Sequence, residues 1–277
     1  MKIYVKATVK DVFEEDPQFR RNLILDRNTD MRTLMQFADD PDANNRAYLA
    51  ELTRTTPEVL AKLADDSEAR VRRCVARNPN TPEDALVKLA RDPDFTVRHG
   101  LATRLYDIPD DVLIALLEPA DQRIDSEILI KMVRRQLFPG VKVYEKLAES
   151  PDLYTRQAIA MDMGDLTPDS VLVKLMDDPD ESVRAGVVTY RENLPVEVID
   201  KAVVDPFVRV RAGVARDAIM REDQYELLAN DPEPRVRKSV ALNPHTPLSI
   251  KQKLAHDEDE SVRDLARKQL DKVRERN

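Results

Sequence analysis

The stretch Asn80–Arg98, Asn-Thr-Pro-Glu-Asp-Ala-Leu-Val-Lys-Leu-Ala-Arg-Asp-Pro-Asp-Phe-Thr-Val-Arg, returns at a step of about 26 residues along almost the whole chain. An acid-Pro turn or its equivalent falls at Pro41, Ser67, Pro93, Pro119, Pro151, Pro179, Pro206, Pro232 and Glu258. The intervals are 26, 26, 26, 32, 28, 27, 26 and 26 residues. A period of this size marks an array whose units cannot bury an apolar face alone and must stack on one another.

Each repeat reads as two short helices. The first carries apolar residues seven, four and three places before the turn, as in Leu34/Phe37/Ala38, Leu60/Leu63/Ala64, Leu86/Leu89/Ala90, Leu172/Leu175/Met176 and Tyr225/Leu228/Ala229. That spacing makes one helical stripe. Thr56-Pro57, Thr81-Pro82, Thr167-Pro168 and Thr246-Pro247 predict a hydroxyl N-cap followed by Pro at the first helical position. The second segment is expected to open on the Asp of Asp-Pro, as at Asp92-Pro93-Asp94. It buries Val97/Leu101, Val183/Val187, Val210/Val214 and Val236/Val240. The position seven residues after the turn is mostly small (Cys74, Gly100, Ala158, Gly186, Gly213, Ser239), which lets neighbouring backbones approach closely. Helices this short are marginal alone. Stacked, they predict an all-α solenoid of about nine two-helix repeats over 28–270, with a charged tail at 271–277.

Two segments depart from this pattern. Residues 2–10 alternate Ile3, Val5, Ala7 and Val9 with polar or amphipathic residues, the period of a strand. They predict a short extended segment which, with a degenerate half-repeat, makes 1–27 an N-terminal cap. Pairing of that strand with a second copy would make a homodimer. The fourth repeat, about 106–140, is irregular. Its turn is Glu118-Pro119, Ile124 stands where the other repeats have Arg, and the next interval stretches to 32. Taking Ile128 as the counterpart of Val97 places a longer loop around 119–127. Glu118, Arg123, Arg134, Arg135 and Phe138 are the residues through which this irregularity would shape a binding surface between two subarrays.

Five residues beyond the turn stands an Arg in eight of the nine repeats: Arg46, Arg72, Arg98, Arg156, Arg184, Arg211, Arg237 and Arg263. An Arg that follows an acidic turn every time predicts a structural ladder in which guanidiniums bond neighbouring carboxylates or helix-end carbonyls. A phosphate-binding stripe is the alternative. Further basic residues cluster at Arg70-Val-Arg72-Arg73, Arg134-Arg135 and Arg235-Val-Arg237-Lys238. The net charge of −8 argues against a general polyanion binder.

Little points to catalysis. His99, His245 and His256 are scattered, no His-Glu-x-x-His occurs, and five glycines form no phosphate loop. The single cysteine, Cys74, leaves no internal disulfide and no multi-cysteine metal site. Its small, packed position predicts a buried core thiol. No catalytic, cofactor or metal residues are assigned. The start lacks an apolar segment of signal-peptide length and no run approaches a membrane span, so a cytoplasmic protein is expected.

The phrase Asn78-Pro-Asn-Thr-Pro-Glu, then Leu86, Leu89-Ala90, Asp92-Pro93 and Val97-Arg98, with its echo Val240-Ala-Leu-Asn-Pro-His-Thr-Pro247, resembles the leucine-rich repeat variant family of the HEAT-like group. The resemblance implies a right-handed superhelix of short helices. Some of that family carry an N-terminal cysteine cluster for an iron–sulfur centre, and this sequence has no such cysteines. The Asp-Pro and Val-Arg element is also similar to HEAT-like repeats of phycobilin lyases and alkylpurine DNA glycosylases, although the Trp-lined cleft of the glycosylases has no counterpart in a chain without Trp. The expectation is a non-enzymatic scaffold that binds a macromolecule, a protein in preference to nucleic acid, through a concave surface. A nucleic-acid-binding protein of the glycosylase type is the alternative.

Overall fold

The computed structural model describes residues 16–104, 108–118, 121–134, 139–161, 166–189, 191 and 193–274. The strand expected at 2–10 and the homodimer built on it, together with Arg135 and Phe138, lie outside the described residues. Among those described there are nineteen α-helices and no strand. The chain divides into two compact units, 1–143 and 144–277.

In the first unit, α1 (Pro17–Leu25) is followed by four two-helix repeats. The first helices are α2 (Met31–Gln36), α4 (Pro57–Leu63), α6 (Glu83–Ala90) and α8 (Asp110–Leu117). The second helices are α3 (Ala43–Glu51), α5 (Ala69–Arg77), α7 (Phe95–Ala102) and α9 (Gln122–Val133). α1, α3, α5, α7 and α9 pack each on the next, and α6 packs on α8 in the first-helix layer. The unit boundary falls within α10 (Val141–Ala148). The second unit continues with first helices α12 (Asp169–Leu175), α14 (Val196–Ala202), α16 (Glu222–Ala229) and α18 (Leu248–Leu254). Its second helices α11 (Leu153–Met161), α13 (Glu181–Val188), α15 (Val208–Asp217), α17 (Pro234–Leu242) and α19 (Glu260–Arg274) stack in sequence. Every second segment is α-helical, and a 3₁₀ turn at Phe37–Asp39 closes α2.

The apolar stripes meet in the interior of each unit. Leu34, Phe37, Leu60, Leu63, Leu89, Val71, Val75, Val97 and Leu101 in the first unit are almost wholly buried, as are Leu175, Val183, Val187, Val210, Val214, Leu228, Val236 and Val240 in the second. Each such side chain contributes about 1.5–3 kcal/mol when removed from water. Two of the expected small positions show why they are small. A Cβ on Gly213 would stand 2.8 Å from Cγ2 of Val188, and one on Gly186 would stand 3.2 Å from Cβ of Ala160.

Both expected caps are corrected. The Thr hydroxyls close the preceding helix instead of opening the next. Oγ1 of Thr81 donates to the carbonyl of Val75 at 2.6 Å, and Thr55 and Thr246 donate likewise to Leu49 and Val240. Thr167 reaches Ile159. The N-caps of α6, α12 and α18 are Pro82, Pro168 and Pro247; at α4 Thr56 does stand at the N-cap with Pro57 at the first helical position, but its hydroxyl makes no capping bond. The second helices open not on the Asp of Asp-Pro but two residues later, on Asp42, Asp94 and Asp180, whose carboxylates take the amides of Asn44, Thr96 and Ser182.

The irregular fourth repeat is also re-registered. α9 starts at Gln122 with Asp121 as its cap, so Ile124 matches Val97, Ile128 matches Leu101, and the ladder position falls on Asp125. The extra length is one more turn of helix, 12 residues in α9 against eight in α7, and not a loop through 119–127.

Candidate anion-binding cleft

The Asp freed from capping receives the Arg of the repeat before. Nε of Arg46 donates to Oδ2 of Asp66 at 2.6 Å and Nη2 to Oδ1 at 2.9 Å. Arg72 meets Asp92, Arg211 meets Asp231 and Arg237 meets Asp257 in the same bidentate way. Arg156–Asp178 and Arg184–Asp205 complete the set, each with Nε at 2.7 Å. The other guanidinium arm turns inward: Nη1 of Arg72 donates to the carbonyl of Asp66, and Nη1 of Arg184 to that of Asp178. Each acid therefore accepts from the previous repeat through its side chain and from its own repeat through its backbone. The carboxylates in turn reinforce the protonation of Arg46, Arg72, Arg184, Arg211 and Arg237.

Three positions depart from the pattern. Arg20 forms a further rung with Asp40, Nε to Oδ2 at 2.8 Å, which the repeat count had not reached because α1 belongs to a partial repeat. Arg263 bonds only the carbonyls of Asp257 and Glu258. Arg98 reaches Asp121 through Nη2 alone, at 3.3 Å, and its buried Nε has no hydrogen-bond partner. Asp121 is shared with Arg123, which stacks its guanidinium 3.6 Å from the ring centre of Phe95. Glu118 pairs with Arg91 at 2.7 Å, and Arg134 stands exposed at the end of α9. The structure thus places Glu118, Arg123 and Arg134 in separate local settings.

What the ladder leaves over lies on the outer face of α5. Arg70, Arg73, Cys74 and Arg77 follow i, i+3, i+4, i+7 spacing and form one stripe, while Arg72 points into the ladder. With Glu51 and Thr53 from the end of α3, and Asn78 and Pro79 after α5, they line a cleft of about 540 Å³. The amide of Asn78 holds that wall in place by donating to the carbonyls of Ala50 and Leu52 at 2.7 and 2.9 Å. Arg73 lies against Gly100 of α7, where a Cβ would come within 3.1 Å of its Cγ. Arg70 also bonds Oδ1 of Asn44. Among the described residues, neither Arg73 nor Arg77 has an ion-pair partner.

Cys74 is not the fully buried thiol expected. It is half-buried in the cleft wall, with Sγ 3.3 Å from Oε1 of Glu51. Burial, then the Glu51 bond and charge, pushes the thiol up to about 12, so it stays protonated and is no nucleophile near neutrality. The run Arg70-Val-Arg72-Arg73 was visible as a basic cluster. Its division between ladder and cleft required the helix start to be placed.

No described group of His, Cys, Asp and Glu side chains is arranged to hold a metal ion, and no described helix is long and apolar enough to cross a membrane.

Stacked two-helix repeats, tied across their boundaries by Arg–Asp rungs, define a helical repeat scaffold. One of its repeats matches a known family: residues 69–94, which include the whole basic stripe of α5, match the leucine rich repeat variant family. No curated protein matches the chain. Among solved structures, it is similar to a leucine-rich repeat variant with a novel repetitive structural motif, at 24% identity over 89% of this chain and 88% of that one, with a TM-score of 0.49. It is also similar to an engineered protein (17% identity, 96% and 94% covered, TM-score 0.29) and to a designed armadillo repeat protein solved with the peptide (KR)4 (16% identity, 93% and 99% covered, TM-score 0.21).

Proposed function

We propose that the chain is a non-enzymatic scaffold that binds an acidic segment of a protein partner on the second-helix face of its first unit, with the Arg ladder as a structural device beneath it. The observation that carries this reading is the α5 cleft, where three guanidiniums face one carboxylate. The ladder arginines spend their donors on carboxylates and carbonyls of their own chain, whereas among the described residues Arg73 and Arg77 of the cleft form no ion pair, and Arg70 gives one donor to Asn44. A space of this volume suits one or two side chains of a peptide.

The test is fluorescence anisotropy with a labelled peptide of alternating Glu and Gly, compared with its Lys counterpart and with duplex DNA of similar charge. Tight binding of the Glu peptide, lost in the R70Q/R73Q/R77Q variant, is the expected result. Binding of DNA in preference to the peptide would replace this reading with the nucleic-acid one.

A further inference from the structure

We infer that the anionic group this cleft is built to take is a phosphoryl group and not a carboxylate. The inference rests on the acidic-segment reading above and sharpens it to one chemistry. Three facts combine. The first is charge: Arg70, Arg73 and Arg77 oppose only Glu51, which leaves two positive charges uncompensated in the cleft wall. A carboxylate neutralises one of them, and a phosphate ester carries close to two negative charges at neutral pH.

The second is the kind of hydrogen-bonding group on offer. The Asn78 side chain is consumed, its amide by Ala50 and Leu52 and its oxygen by the amide of Asn80 at 2.9 Å. The Cys74 thiol is turned to Glu51. The cleft is left with guanidinium forks and the Thr53 hydroxyl, a lining dominated by donors. A group that accepts on three oxygens fits such a lining better than one that accepts on two.

The third is the spacing. Arg70 to Arg77 spans seven residues, roughly 10 Å along the helix axis, with Arg73 between them. Like charges at i, i+3 and i, i+4 repel. An anion that bridges adjacent forks removes that repulsion. Helical phase turns all three toward the same cleft, while the ladder takes Arg72 away to Asp92.

The phosphoryl group has two possible sources, a phosphorylated side chain of a protein or a small phosphorylated molecule, and the experiment separates them. Isothermal titration is run with the Glu-Gly peptide, the same peptide carrying phosphoserine at its central Glu, and inorganic phosphate alone. The phosphopeptide is expected to bind at least tenfold more tightly than the Glu peptide, and R73Q/R77Q, checked for intact folding by circular dichroism, should abolish the difference. Equal affinity for the two peptides overturns the inference but leaves the acidic-segment reading standing. A preference that survives in R73Q/R77Q also overturns it, since the site would lie elsewhere. Failure of every anion to bind overturns both. Inorganic phosphate binding as tightly as the phosphopeptide supports the phosphoryl chemistry and assigns it to a small molecule in place of a protein.

Discussion

Arg184 on α13 and Asp205, 21 residues later, meet across a repeat boundary with Nε on Oδ2 at 2.7 Å and Nη2 on Oδ1 at 3.2 Å. Their side chains are 9% and 5% exposed, which makes this one of the most buried rungs of the ladder. Removing one partner strands the other charge in the interior. Arg184→Ala is expected to cost about 3 kcal/mol, and Arg184→Lys less, because an ammonium keeps the charge but not the fork. Urea unfolding followed by circular dichroism measures both. A loss below about 1 kcal/mol for the Ala variant would show that the rung carries little stability.

Acid should loosen the first unit through the same device. Burial raises the pKa of Asp66, but the Arg46 hydrogen bond, the Glu68 amide and the charges of Arg46 and Arg72 outweigh it and hold the carboxyl below its usual 3.8. A group whose pKa is depressed by folding contributes fully above its unfolded value and loses that contribution as pH falls through the folded one. Asp257 behaves in the same way in the second unit. Thermal midpoints should be insensitive to these groups above about pH 5 and fall steeply below about pH 3.8. Asp66→Asn should flatten that fall, and an unchanged acid limb would exclude Asp66 as a contributor.

The thiol of Cys74 is predicted to react slowly. With its pKa near 12, alkylation by iodoacetamide at pH 8 should run roughly tens to a hundred-fold slower than for a free cysteine. On the order of a thousand-fold less thiolate is partly offset by the greater nucleophilicity of a more basic one. Glu51→Ala removes the anion that accepts from it and should accelerate the reaction, although burial, the larger cause, remains. A reaction at the free-cysteine rate would mean that the cleft wall opens readily in solution.

Gly213→Ala sets helix propensity against packing. Ala is favoured over Gly in a helix by about 1 kcal/mol. The new methyl would press on Val188, whose branched side chain is fully buried, and overpacking of this kind costs about 1–3 kcal/mol. A net loss of stability is expected, with partial rescue by Val188→Ala. If the two substitutions prove additive in urea unfolding, the contact is not the cause.

Much of this was legible in the chain itself, for a physical reason. Repetition amplifies weak local signals, so Val97, Leu101 and their counterparts announce a buried stripe in most of the repeats. The partners of the arginines were harder to assign. Asp92 and Asp94 stand two residues apart in similar settings, and only the backbone at the start of α7 decides which caps the helix and which meets Arg72. The fourth repeat misled for a related reason. Its Pro suggests a register one residue out, which hides Asp125 behind Ile124. The cleft left a trace in the 70, 73, 77 spacing, but Cys74 read as core because a single sequence cannot say which side of a small residue is covered.

The two-way use of each rung acid also dictates how such a chain can be edited. Because Asp66 serves Arg46 by its side chain and Arg72 by its carbonyl, any cut between repeats severs an Arg from its acceptor unless the incoming segment supplies an Asp at the same register. Modules can therefore be swapped or duplicated only as whole periods with matching ends. Between the fourth and fifth repeats the sequence offers no Arg–Asp pair for such a graft to match, since the corresponding positions are Asp125 and Ser150.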